Sequence, residues 1–167
     1  MKISREKFFE EILKTYNLGG SIIVCGNGGS ATQANHLAEE LVGRYKKDRK
    51  PIKALSLSSD PGIITCIAND YGYENIFSRQ IECMASENDI LLCFSTSGTS
   101  PNIVKVLEKS DAIGIKAILV TGDRYEPKNN SDKFLFYCVE QTESRRIQED
   151  HLVLIHDTIE KIEENLI

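Results

Sequence analysis

Five short runs rich in apolar and β-branched residues recur along the chain, each separated from the next by a helical pattern, and this alternation limits the architecture more than any other feature. The runs are SIIVCGNG from Ser21, IKALSLSS from Ile52, DILLCFSTSG from Asp89, KAILVTGD from Lys116 and FLFYCVE from Phe134. Most are almost continuously apolar, the pattern of parallel strands covered on both faces. Helical patterns are predicted over 31–46, 62–68, 74–85 and 101–113. A long amphipathic helix is predicted over 144–167, with apolar residues at Leu152, Ile155, Ile159 and Ile162. Such alternation predicts an α/β sandwich, a parallel sheet flanked by helices and joined by right-handed crossovers. The length of 167 residues predicts one domain, 1–167, and no repeat, low-complexity tract or linker divides it. DRYEPKNNSDK from Asp123 is the longest predicted loop.

Composition narrows the function classes. A net charge of -5 argues against a nucleic-acid binder that relies on a broad basic surface. No apolar run approaches the ~20 residues that span a bilayer, and the charged, amphipathic N-terminus MKISREKFFEEILKTYNLGG does not read as a signal peptide. Five cysteines, an odd number without a C-x-x-C pair, sit mostly in apolar runs and read as reduced thiols of a cytoplasmic protein.

In parallel α/β folds ligands bind beyond the carboxyl ends of the strands, and two such ends are unusual here. The first run ends in GNGGS, where glycines permit close backbone approach and Ser30 is placed to cap the following helix. It lacks the GK[ST] of a Walker loop and the G-x-G-x-x-G of a dinucleotide site. Alone it is often only a turn. The third run ends in STSGTS, where Ser95, Thr96, Ser97, Thr99 and Ser100 give five hydroxyls in six residues, with Pro101 suited to a helix start. Either loop can be a simple cap and turn; two at neighbouring strand ends point to a phosphorylated ligand.

His36 and Glu40, four apart on a predicted helix, project from one face. The spacing suits a metal site and equally an ordinary surface pair; Glu39 should point elsewhere. The other two histidines, His151 and His156, lie on the last helix in ESRRIQEDHLVLIH, together with Gln148. They can be surface groups or core histidines satisfied by a backbone carbonyl. Gln148 and His156 are ~12 Å apart along an ideal helix, so both reach one metal only if their side chains converge or if they come from different subunits.

Taken together, GNGGS, HLAEELVGRY from His36, ANDYGYENIFSRQ from Ala68, STSGTSPN from Ser95 and RRIQEDHLVLIH from Arg145 resemble the sugar isomerase (SIS) family, in its heptose 7-phosphate isomerase branch. STSG-type loops occur across that family; the other blocks together mark the branch. The resemblance implies an SIS-type three-layer sandwich with a five-stranded parallel sheet. It also implies conversion of sedoheptulose 7-phosphate to D-glycero-D-manno-heptose 7-phosphate in bacterial heptose biosynthesis for lipopolysaccharide or capsule. Ser95, Thr96, Ser97 and Ser100 match the family's phosphate loop. Asn27, Gly28, Gly29, Ser30, Arg44, Asn69, Asp70 and Gln148 match substrate contacts. Glu40 matches the catalytic carboxylate and His156 the catalytic histidine, while His36, Glu40, Gln148 and His156 match the ligands of one Zn2+ per subunit.

Within that resemblance Glu40 suits the carbon-acid base of an enediolate mechanism and His156 proton transfer at oxygen. A carboxylate serving as both ligand and base implies a weak or shifting bond to the metal. Family members assemble as homotetramers, but their pattern has one more leading helix than this sequence, so a dimer is the alternative. Two other departures bear on substrate preference: RYEPKNN replaces a glycine-rich stretch, and Arg145 stands where a small or acidic residue is expected. Two rivals remain. One is a non-catalytic SIS regulator that binds a replication initiator, set against by the full acid–base and metal set. The other is an isomerase of another sugar phosphate, set against by RIQE-H-IH.

Overall fold

A computed structural model describes residues 1–127 and 131–166; the Lys128–Asn130 part of the long loop lies outside them. Strands β1 (Ile22–Gly26), β2 (Ala54–Ser56), β3 (Ile90–Phe94), β4 (Lys116–Gly122) and β5 (Phe134–Val139) form one parallel sheet in the order β2-β1-β3-β4-β5. Helices α1 (Arg5–Asn17), α2 (Gly29–Val42) and α6 (Ser144–Leu166) cover one face; α3 (Pro61–Tyr71), α4 (Ser78–Met84) and α5 (Pro101–Ile113) cover the other. This is the α/β sandwich expected from the alternation, in the three layers and five parallel strands that the family resemblance implies.

Alternate strand residues explain why the runs are apolar throughout. Ile22, Val24, Leu92 and Phe94 enter the core with Leu37 and Leu41 of α2 and Ile155 and Ile159 of α6. Their neighbours Ile23, Cys25, Leu91 and Cys93 enter the second core with Ile81, Ile103 and Val106. Both faces are buried, so a period-2 signal would have been wrong here. From β1 the chain passes to β2 on one side, then returns to β3 on the other. The direction reverses at β1/β3, and the crevice of a parallel sheet opens at that switch point.

Several boundaries differ from the sequence expectation: the helix predicted over 62–68 runs from Pro61 to Tyr71, and the one predicted from residue 31 starts at Gly29. The helix predicted over 74–85 is a short 3-10 turn, Tyr73–Asn75, followed by α4. The break allows the adjacent residues Ile76 and Phe77 both to be buried, and the Gln80 side chain donates to the carbonyls of Leu57 and Ile76. The strand predicted from Ile52 keeps only the three residues of β2, at the sheet edge. The helix predicted to Lys46 ends at Val42, because the next amides are claimed by another helix, as described below. Residues at the N-terminus add a short parallel pairing to β5, with the Ile3 amide donating 2.9 Å to the Phe136 carbonyl.

Candidate active site

At the switch point the loop after β1 is shaped by Gly28, whose φ of 53° is costly for other residues, and by Gly29, where a Cβ would stand 2.6 Å from Nε2 of Gln148. Gly28 is the N-cap of α2. Ser30 therefore does not cap this helix: it lies within the first turn, buried, with its backbone packed against Gly26. The expectation failed because the helix starts at Gly29, two residues earlier than a Ser30 cap requires.

Asn27 and Asn102 exchange amide hydrogen bonds of 2.8 and 2.7 Å, and the Tyr73 hydroxyl donates to the same Asn27 Oδ1 at 3.1 Å. Asn102 is buried in the first turn of α5, so this pair ties the GNGGS loop to the STSGTS loop. Two carboxamides face to face satisfy each other's donor and acceptor, which keeps a buried polar contact from carrying a desolvation penalty.

In the second loop Ser95 is buried and its Oγ accepts from the Gly98 amide at 3.1 Å. Its hydroxyl shapes the turn. Thr96 joins the loop to β4 and α6: its carbonyl accepts from the Gly122 amide and its Oγ1 from the Ser144 hydroxyl. Ser97 is exposed and accepts from the Thr99 amide. Ser100 is the N-cap of α5 with Pro101 following, yet its hydroxyl makes no capping bond. A free hydroxyl at the positive end of a 13-residue helix is suited to an anion.

Fourteen residues of α2 carry this loop at one end and a titratable cluster towards the other. His36 Nε2 lies 3.1 Å from His156 Nε2 and 3.5 Å from Glu40 Oε1. Glu40 Oε2 is buried without a hydrogen-bond partner. Ligand atoms of His36, Glu40 and His156 all lie within 4.8 Å of one another, the one such group among the described residues. Two imidazole nitrogens and a carboxylate this close together, with one carboxylate oxygen desolvated and unpartnered, fit a divalent cation of zinc type. The neighbouring Glu39 is exposed, and its carboxylate comes only within 3.8 Å of the far side of His36, at Nδ1. That is too long for a hydrogen bond.

The remaining sequence candidates are placed apart from this cluster. The Gln148 carboxamide lies against Gly29, about 10 Å of helix rise from His36, and the Gln148 backbone carbonyl accepts from the Gln33 side chain. Within one chain Gln148 and His156 do not converge. Arg44 is exposed in the loop after α2. Asn69 and Asp70 stand at the exposed end of α3, where Asn69 Nδ2 donates to Asp70 at 2.7 Å. His151 is a core residue beside Phe94, and neither ring nitrogen has a hydrogen-bond partner. Burial pushes its pKa down to about 4, against weaker opposing pulls from the Thr121 backbone and Asp150.

The fold and these loops define a class of protein before any single relative is considered: a family model described as SIS domain matches residues 6–122. The phosphoheptose isomerase of Helicobacter pylori (strain Shi470) is 46% identical over 153 residues, covering 91% of this chain and 79% of the relative. The structure of a phosphoheptose isomerase from Francisella tularensis superposes with a TM-score of 0.88 at 30% identity, over 93% of this chain and 83% of that one. That of the phosphoheptose isomerase from Neisseria gonorrhoeae gives 0.85 at 30%, over 96% and 85%. The chain thus belongs to the SIS domain family and, within it, to the phosphoheptose isomerases.

Proposed function

We propose that this chain isomerises sedoheptulose 7-phosphate to D-glycero-D-manno-heptose 7-phosphate, supplying bacterial heptose biosynthesis for lipopolysaccharide or capsule. The observation that carries the reading is the Glu40 carboxylate, grouped with two imidazoles and keeping one oxygen buried and unpartnered, on the same helix that begins at the GNGGS loop. Relatives named phosphoheptose isomerase support the substrate.

In the ketose-to-aldose direction a proton leaves C1 and returns to C2, while a hydroxyl proton passes from O1 to O2. Glu40 serves as the base that takes and returns the carbon-bound proton. His156 moves the proton between the oxygens. Ser97 and Ser100, with Thr96 behind them, bind the phosphate through hydroxyls and the α5 N-terminus. Asn27, held by Asn102, Gly28, Gly29, Asn69, Asp70 and Arg44 line the sugar. His36, Glu40 and His156 would hold Zn2+, with Gln148 as a further ligand if a second subunit brings its carboxamide to the cluster. A bound zinc supplies Lewis-acid stabilisation of negative charge developing on the substrate oxygens.

On this reading residues 1–167 act as one domain, in the cytoplasm, as a homotetramer or a dimer. Five free cysteines suit a reducing compartment, and no helix among the described residues is long and apolar enough to cross a membrane. The test is incubation of purified protein with a panel of ketose phosphates, with and without zinc, followed by NMR. Heptose 7-phosphate should accumulate from sedoheptulose 7-phosphate alone. No product at high enzyme concentration with zinc supplied would end the enzyme reading.

A further inference from the structure

The loop that follows α2 is organised by a carboxylate from the opposite end of the chain. Glu163 of α6 accepts hydrogen bonds from three consecutive backbone amides, those of Tyr45, Lys46 and Lys47, at 3.1, 3.0 and 3.0 Å. Arg49 lies beside it, Nε at 3.5 Å, and the two side chains are 2% and 3% exposed. The Arg49 guanidinium in turn donates to the carbonyls of Glu40 and Leu41 in the last turn of α2. Buried ions persist only when paired and hydrogen-bonded, and here the pairing ties the loop to α6 through Glu163 and to α2 through the Glu40 and Leu41 carbonyls. The consequence is local to the cluster. The Tyr45 ring lies against the His156 ring, centroids 5.6 Å apart and planes 15° from parallel. His156 and Glu163 are seven residues apart on α6, so one face of that helix carries both the imidazole and the carboxylate that fixes its stacking partner.

We infer that Tyr45 and Glu163 are positioning residues. Glu163 holds the 45–47 backbone, that backbone sets the Tyr45 ring, and the ring fixes His156 facing His36 and Glu40. Arg49 completes the device by holding the α2 end at the Glu40 backbone. The inference rests on the reading of His36, Glu40 and His156 as the reacting and metal-holding groups. It differs from that reading in placing the control of their geometry in residues that touch neither substrate nor metal.

The test uses the full chain and Co2+ as a spectroscopic probe, with affinity read by d–d absorption and chelator competition. Outer-shell partners of a metal site typically contribute 10–100-fold in affinity or activity. Tyr45→Ala and Glu163→Gln should therefore each weaken Co2+ binding by roughly 10–100-fold and lower kcat by a similar factor. KM for the sugar phosphate and inhibition by inorganic phosphate should stay put, because the phosphate loop precedes α5, an element outside this device. Tyr45→Phe keeps the ring and should restore most of both losses. A loop that merely stabilises the fold would shift thermal unfolding without this split. If Glu163→Gln does not fold, Tyr45→Ala decides alone. Wild-type and Tyr45→Ala proteins with equal Co2+ affinity and equal kcat would overturn the inference, as would a Tyr45→Phe variant as impaired as Tyr45→Ala. A wild type that isomerises but binds no Co2+ removes the metal reading by itself, and the kcat-against-KM split then decides the positioning role. A wild type with neither property overturns both.

Discussion

Glu40 presents two oxygens in different states: Oε1 stands 3.5 Å from His36, and Oε2 is buried with nothing to accept from. A carboxylate left this way is poised for a cation or a substrate proton. Glu40→Gln keeps the shape and removes the basicity, so kcat should fall by roughly 10²–10⁴-fold, with loss of solvent-deuterium exchange at the substrate carbon and survival of phosphate inhibition. Glu39→Gln, on the exposed neighbour, should change little. A dead Glu39 variant beside an active Glu40 variant would mean that the base is misassigned. His151 belongs to the same scale. Its ordinary value of 6.5 falls to about 4 on burial, so the folded protein prefers it neutral. Below 6.5 the unfolded chain takes up a proton that the folded one refuses. The stabilisation is thus complete above 6.5 and is lost as pH falls towards about 4, by ~3 kcal/mol in all. Urea melts of wild type and His151→Leu should diverge in pH dependence across that window, the variant having the flatter profile. Parallel profiles would show that His151 is solvated.

Among the elements, α5 and α6 carry opposite lessons. The Pro101 start of α5 was legible, because proline is pre-shaped for a first helical turn and lacks only an amide that the turn leaves unused. The N-cap hydroxyl of Ser100 makes no capping bond, which favours a ligand role for it. Ser97→Ala or Ser100→Ala should each remove a hydrogen bond to a charged phosphate, ~1.5–3 kcal/mol, and so raise KM and the phosphate inhibition constant roughly tenfold or more. Unchanged constants in both variants would place the phosphate elsewhere. Glu163, by contrast, passed unnoticed on α6, although its position four residues after Ile159 sets it on the buried stripe. An acid on an apolar stripe is a signal of a buried partner. What it binds, the amides of Tyr45 to Lys47, lies more than a hundred residues away. Burial pulls the Glu163 pKa up, but the three amides and Arg49 outweigh it and hold the carboxyl below its usual range.

For the whole molecule, the exposed apolar residues Leu152 and Val153 lie on the same helix as His156, and Tyr71 and Tyr73 are exposed at the end of α3 and in the 3-10 turn after it. Apolar side chains on the helix that carries His156, with Gln148 lying away from the His36–Glu40–His156 group, are what a shared interface would use. Light scattering at micromolar concentration should give a mass of two or four times 18.7 kDa. A mass of 18.7 kDa would sink the homo-oligomer and, with it, any shared ligand set.

The sequence alone determined the α/β class, the five parallel strands and the two loops at strand ends, because continuous apolar runs, glycines and hydroxyls act locally through backbone geometry and burial of both sheet faces. The strand order that puts those loops at one switch point is tertiary. It also put His36 and Glu40 on one helix face, since a four-residue spacing needs no tertiary information. Whether that pair was a surface pair or part of a cluster was decided only when α6 brought His156 to 3.1 Å from His36. The Asn27–Asn102 clamp, the end of α2 at Val42 and the place of Tyr45 were likewise tertiary decisions. Each depends on a polar group meeting a partner 75 to 120 residues away. Burial makes such contacts compulsory, but no local pattern names the partner.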